Sequence, residues 1–379
     1  MNISCKTRWQ RTILPGWQLT QITTNRYSEF HITITPLSGE TPTTTVGRLV
    51  KWVKENNTTI VRNEILGGLF YHDAILESLE KGLGTLDWPI LWTQGSQEID
   101  KNLCGINIMA VKDIPVSIIK YGDKVVGRSF HDGYARHLLL GNLYPSNINA
   151  ARTEQVRDLL EQIEAVLKSA LMDYLNVVRT WFYIDNILLW YDAFNTVRTD
   201  FYKKRNVFDN IVPASTGISG SNFYKAAVSA AVWATQPECD VFSKKEVPSP
   251  LQCPAPCYGS SFSRAIELAS PELKRIFISG TASIEQNGAT AHINDIDNQV
   301  ELTMRVVEAI LKSKGMDFNN LTRSIAYFKN LNQSSALDKW LLKNKVDPFP
   351  TVITQSDVCR DDLLFEIEAD AISTESELL

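Results

Sequence analysis

Three segments of this chain repeat one order of helix, strand, helix and strand, and that recurrence limits the fold more than any single motif. Their strand entrances can be laid over one another: Thr59-Ile-Val-Arg-Asn-Glu-Ile65, Val177-Val-Arg-Thr-Trp-Phe-Tyr183 and Leu321-Thr-Arg-Ser-Ile-Ala-Tyr327. Each carries an arginine near its start, Arg62, Arg179 and Arg323. Downstream lie Trp88-Pro-Ile, Val212-Pro-Ala and Phe349-Pro-Thr, with Arg-to-Pro spacings of 27, 34 and 27 residues. Before each arginine runs an apolar stripe at helical spacing: Val46, Leu49, Val50 and Val53; Val156, Leu159, Leu160, Ile163 and Leu167; Val300, Met304, Val307, Ile310 and Leu311. Such stripes are core. Second helices are expected near 71–79, 189–205 and 334–344.

Helices alternating with strands, two per unit and covering one sheet face, give an α+β class. The expected divisions are an extended lead-in over 1–20, repeat one over 21–112, repeat two over 113–235, a Pro-rich linker over 236–261, repeat three over 262–372 and a tail over 373–379. The linker is assigned from Pro237, Pro248, Pro250, Pro254 and Pro256.

Composition narrows the function. With 44% apolar and 21% charged residues the chain is globular, and 379 residues can bury a sizeable core. A net charge of -5 without a basic run argues against general nucleic-acid binding, which needs clustered Lys and Arg. No apolar segment approaches the ~20 residues that span a bilayer, and residues 1–19 lack the apolar core of a secretory signal. A cytoplasmic protein with reduced thiols is expected. Cys253-Pro-Ala-Pro-Cys257 has no second Cys or His pair at zinc spacing, and the five histidines form no ligand motif, so neither metal nor cofactor is expected.

The block Arg275-Ile-Phe-Ile-Ser-Gly280, Asn298-Gln-Val300 and Phe365-Glu-Ile-Glu-Ala369 resembles the RidA/YjgF superfamily, once called endoribonuclease L-PSP, over roughly residues 262–372. Ala135-Arg-His-Leu-Leu-Leu-Gly141 extends the resemblance to the second copy. RidA-like proteins are typically trimers with sites between subunits, so three units in one chain imply a pseudotrimer. Without the first copy, the chain would be two such units behind an unrelated N-terminal domain. The resemblance implies a catalytic acid at Glu366. It places the family's carboxylate-clamping Arg on Thr351, and in repeat two it places the acid near Ala230. One functional cleft and two degenerate ones are therefore expected.

Cys359-Arg-Asp-Asp-Leu-Leu-Phe-Glu366, Arg179-Thr-Trp-Phe-Tyr183 and Phe194-Asn-Thr-Val-Arg198 further resemble chorismatases, which are built from RidA-like units. What they imply is a dicarboxylate site in which Arg360, with Arg179 or Arg198, replaces the missing clamp. Strand alternation puts Glu366 and Glu368 on one face, and Arg179, Trp181 and Tyr183 on one face. Arg264 sits where the linker enters repeat three. Each candidate also has a plainer reading: the two glutamates as a solvated strand face, the three recurring arginines as inter-repeat ion pairs, and Cys359 as a small buried residue.

The leading expectation is a chorismatase-like lyase or hydrolase acting on a small enol-ether dicarboxylate, with Glu366 and Cys359 as catalytic candidates. Arg360, Arg179, Tyr183, Arg198, Arg264 and Thr351 are the binding candidates. The alternatives are a RidA-type enamine or imine deaminase, disfavoured by Thr351, and a non-catalytic binder or scaffold whose cleft would be plugged. The expected partner is a small-molecule carboxylate, with the chain a monomer acting as a pseudotrimer; weak self-association stays open.

Overall fold

The computed structural model describes residues 7–94 and 103–374, apart from the side chain of Tyr258. Unit one runs β1 (Arg8–Leu14), β2 (Trp17–Thr23), β3 (Ser28–Ile34), α1 (Pro42–Asn56), β4 (Thr59–Gly67), α2 (His72–Leu83), β5 (Ile90–Thr93) and β6 (Leu103–Lys112). Unit two runs β7 (Val116–Tyr121), β8 (Lys124–His131), β9 (Ala135–Leu143), α3 (Arg152–Ser169), β10 (Val177–Ile184), α4 (Tyr191–Lys203), β11 (Ala214–Ser219) and β12 (Val228–Pro237). Unit three runs β13 (Ser243–Val247), β14 (Ala265–Ala269), β15 (Leu273–Ala282), α5 (Ile296–Lys312), β16 (Leu321–Phe328), α6 (Ser335–Asn344), β17 (Val352–Gln355) and β18 (Phe365–Thr374).

The three sheets have one topology. Their orders, β1-β2-β3-β6-β4-β5, β7-β8-β9-β12-β10-β11 and β13-β14-β15-β18-β16-β17, are the same order written three times. Only β4·β5, β10·β11 and β16·β17 are parallel, and each of those pairs needs a crossover, supplied by α2, α4 and α6. The first copy is therefore a complete unit.

Local chemistry sets the helix starts. Thr41 caps α1 by accepting the Thr44 N–H at 3.2 Å, with Pro42 in the first turn, and Asp295 caps α5 by accepting the Asn298 N–H at 3.1 Å. Apart from the half-buried Val50, the apolar stripes expected from sequence lie on the buried faces of α1, α3 and α5. They close three separate sheet-and-helix cores.

A fourth core forms where the uncovered sheet faces meet. It draws Val61 and Met109 from unit one, Trp181 and Trp233 from unit two, and Phe277 and Tyr327 from unit three. In each unit the antiparallel register slips by one residue just before the recurring arginine, at Ile60/Arg62, Val177/Arg179 and Leu321/Arg323. A bulge re-aims the side chain that follows it. Here all three arginines enter one buried ion cluster.

Two boundaries differ from expectation. The 1–20 lead-in contains β1 and the start of β2, which are strands of the first sheet; β1 shows no clean apolar alternation because it is an exposed edge. The 236–261 linker contains the end of β12 and all of β13, whose Ser-Lys-Lys-Glu-Val sequence is polar because it too is an edge strand. At the tail, Ser373 and Thr374 end β18, and 375–379 lie outside the described residues. No helix among the described residues is long and apolar enough to cross a membrane.

Candidate functional site

Glu366 lies near the start of β18 and is 5% exposed. Its carboxyl packs on Gly280 of β15, where an added Cβ would stand 2.1 Å from Oε1. The β15–β18 register slips between Ile278 and Thr281, so a bulge and a missing side chain together make the room. Gly280→Ala is accordingly expected to push the carboxyl out of place while leaving the fold intact, since position 280 does not have a left-handed backbone. A crystal structure of the variant would show Glu366 in another rotamer, and activity would fall with it.

Burial raises the Glu366 carboxyl to about 8, the charge of Glu368 adds to the rise, and Arg179 and Arg264 act against it. Glu366 therefore carries its proton at neutral pH. Among the described residues no hydrogen bond reaches its carboxyl, which borders a cavity of about 470 Å³. That cavity lies between unit two, through α4 and β11, and unit three, through residues 259–264, β15, β18 and Cys359. The cleft is open, not plugged.

Three guanidinium groups line it. Arg198, on α4, is 1% exposed; it donates to Ser215 Oγ at 3.2 Å and to Asn195 Oδ1 at 2.6 Å, and its Nε has no acceptor. Among the described residues no carboxylate forms an ion pair with it. A buried cation held only by neutral groups is poised for an anion brought by a ligand. Arg264 donates twice to the Cys253 carbonyl, at 3.0 and 2.9 Å, and Arg360 donates to the Gly288 carbonyl at 2.7 Å. Glu366, Arg198, Arg264, Arg360 and Cys359 thus line one cavity.

Burial and the neighbouring Glu366 push the Cys359 thiol up to about 12, so it stays protonated. A protonated thiol is a weak nucleophile, which does not favour a thiolate role for Cys359. Cys359 lines the wall.

Arg179, Tyr183 and Thr351 do not line this cavity. Arg179 is fully buried and donates to Glu368 at 2.7 Å, while Tyr183 donates its hydroxyl to Glu64 at 2.5 Å. Both belong to the cluster between units, which also holds Arg62, Arg323 and Asp370. Thr351 hydrogen-bonds Ser324 at 2.7 Å and the Phe349 carbonyl at 3.1 Å, away from Glu366. Strand alternation correctly grouped Arg179, Trp181 and Tyr183, but their shared face looks to the centre of the molecule. Glu368 is likewise no solvated residue: Arg179, Arg323, the Trp181 indole and the Thr216 hydroxyl all donate to it.

Sequence reasoning missed Gly280, Ser215, Asn195 and Thr216. Thr216 links the cluster to the cleft, accepting the Gly280 N–H at 3.1 Å while donating to Glu368. The Ser279-Gly280 step of β15 and the Phe194-Asn-Thr-Val-Arg198 motif carried Gly280 and Asn195 without marking their roles, and Ser215 and Thr216 had no such signal. No group of three or more His, Cys, Asp or Glu able to hold a metal occurs among the described residues.

The fold is similar to that of a solved chorismatase, which superposes on 83% of this chain and 93% of its own length with a TM-score of 0.62 at 16% identity. Single-unit proteins match about a third of the chain. A YjgF-family protein from Mycobacterium tuberculosis covers 35% of it and 100% of its own length at 21% identity and a TM-score of 0.28. A Rid-family protein from Yersinia pestis covers 34% and 98% at 21% identity and a TM-score of 0.28. No family model and no curated protein matches the sequence. The architecture is a chorismatase-like pseudotrimer of three tandem RidA/YjgF-like units in one chain.

Proposed function

We propose that this protein is a chorismatase-like enzyme that cleaves a small enol-ether dicarboxylate of the chorismate type and releases pyruvate. The observation that carries this reading is a buried carboxyl, pushed up to about 8, in the same cavity as three arginines. Arg198, Arg264 and Arg360 fix the substrate carboxylates, since a guanidinium fork matches their geometry and keeps its charge. Glu366 gives its proton to the terminal methylene carbon of the enolpyruvyl group, and the C=C electron pair forms the new C–H bond. The resulting oxocarbenium ion takes up water at the adjacent carbon. The hemiketal so formed breaks its C–O bond to the ring, yielding pyruvate and the ring alcohol, and the Glu366 carboxylate recovers a proton from solvent. An acid with its proton held near the working pH is suited to the first step.

Deaminase chemistry of the RidA type is not favoured, because Thr351 cannot form a bidentate pair with a carboxylate and lies outside the cavity.

Purified protein mixed with chorismate is expected to release one pyruvate for each substrate consumed. Arg198→Ala should raise KM by about 10- to 100-fold, the loss expected for one charge-assisted bond. Failure to release pyruvate from chorismate or isochorismate would remove this reading.

A further inference from the structure

The seam between units one and two holds a second cavity, of about 340 Å³. It occupies the place in the repeat that the candidate site occupies one unit later, with α2 and β5 standing for α4 and β11, and β9 for β15. Its chemistry is different. Ala230, paired with the last residue of β9, stands where β18 sets Glu366 against the last residue of β15. Among the described residues no arginine lines it. At the third seam, Val352 of β17 packs onto Gly105 of β6, where an added Cβ would meet it at 2.7 Å.

Five ring side chains converge on this second cavity: His72, Trp88 and Trp92 from unit one, Tyr144 and Tyr224 from unit two. Tyr144 and Tyr224 lie 4.5 Å apart at 56°, and His72 lies 5.2 Å from Trp92. The Trp92 indole already donates to the Gly67 carbonyl at 3.1 Å. The Trp88 indole N–H is buried with no acceptor among the described residues. Such a donor gains from any acceptor delivered to it. The charged residues of the lining, Asp123 and Lys124, are adjacent, exposed and of opposite sign, so they select no net charge.

We propose that this cavity binds an uncharged compound with a flat aromatic ring and one hydrogen-bond acceptor, the ring stacked among the Trp and Tyr side chains and the acceptor taking the Trp88 N–H. Aromatic walls favour a ring in offset or edge-on contact over a saturated one of equal size. The volume is ample, since about 150 Å³ suffices for benzene in an apolar protein cavity. Among the described residues no guanidinium lines it to meet a carboxylate, unlike in the cleft that holds Glu366.

Calorimetric titration of the full chain with acetophenone tests this independently of any turnover. One-site saturable binding is expected, weakened about tenfold or more by Leu76→Trp, which fills the cavity from a half-buried position, and by Tyr144→Ala, which removes a ring. Arg198→Ala should leave it unchanged. Cyclohexyl methyl ketone, with the same acceptor but no aromatic ring, and benzoate should both bind more weakly. Absence of saturable binding at millimolar acetophenone would overturn the proposal, as would binding that survives both cavity variants, or either control ligand binding as tightly as acetophenone.

Discussion

Glu366→Gln is expected to lower pyruvate release by about 10²- to 10⁴-fold, the range lost when a positioned general acid is removed. Glutamine preserves shape and fills the space left by Gly280, so the variant should fold and still bind the dicarboxylate, with the loss appearing in kcat. Stability should change in the opposite sense at high pH. A carboxyl raised to about 8 is favoured by the fold in its protonated form. Its contribution is complete below the ordinary carboxylate range and is lost as pH rises through about 8, amounting to a few kcal/mol. Glu366→Gln should therefore be less sensitive to pH across that window and more stable than the parent above it. Denaturant titrations at several pH values check this, and equal pH sensitivity of the two proteins would place the titrating group elsewhere.

Arg323→Ala is expected to destabilise the chain by about 3–5 kcal/mol, the loss typical when one partner of a buried ion network is removed. Arg323 donates to Glu64 of unit one at 3.0 and 2.5 Å and to Glu368 of its own unit at 2.5 Å. Burial pushes the Glu64 carboxyl up, and Arg323 and Arg62 more than offset it, holding it below the ordinary range. Without Arg323 both carboxylates remain buried with weaker compensation. Arg198→Ala strands no acid and should destabilise far less, which separates an arginine that binds the units together from one that serves the cleft. Urea unfolding of the two variants measures the difference; near-equal losses would contradict it.

The triplicated architecture was legible because helix stripes and strand entrances recur in a fixed order, down to an arginine after each bulge. That same recurrence held the clue to Arg179: a residue present in all three copies serves what all three share, the central cluster. Glu366 and Arg198 were readable because each occurs once. Edge strands β1 and β13 were not, since an edge facing solvent needs no alternation and reads as loop. Gly280 could not be recognised as the cradle of an acid, because its role depends on a register slip against a strand more than 80 residues later. The depth of Glu366 relative to Glu368 was also hidden. Alternation assigns a face, but only packing decides that one carboxyl enters a cleft and its neighbour a buried ion cluster.

The most direct measurement is the pH dependence of kcat/KM for pyruvate release from chorismate by the purified full chain, between about pH 6 and pH 10. The rate is expected to hold at the acid side and fall about tenfold per pH unit above a midpoint near 8, with that limb absent from the residual activity of Glu366→Gln. A profile that is flat through pH 8, or one that Glu366→Gln leaves unaltered, would contradict the assignment of Glu366 as the proton donor.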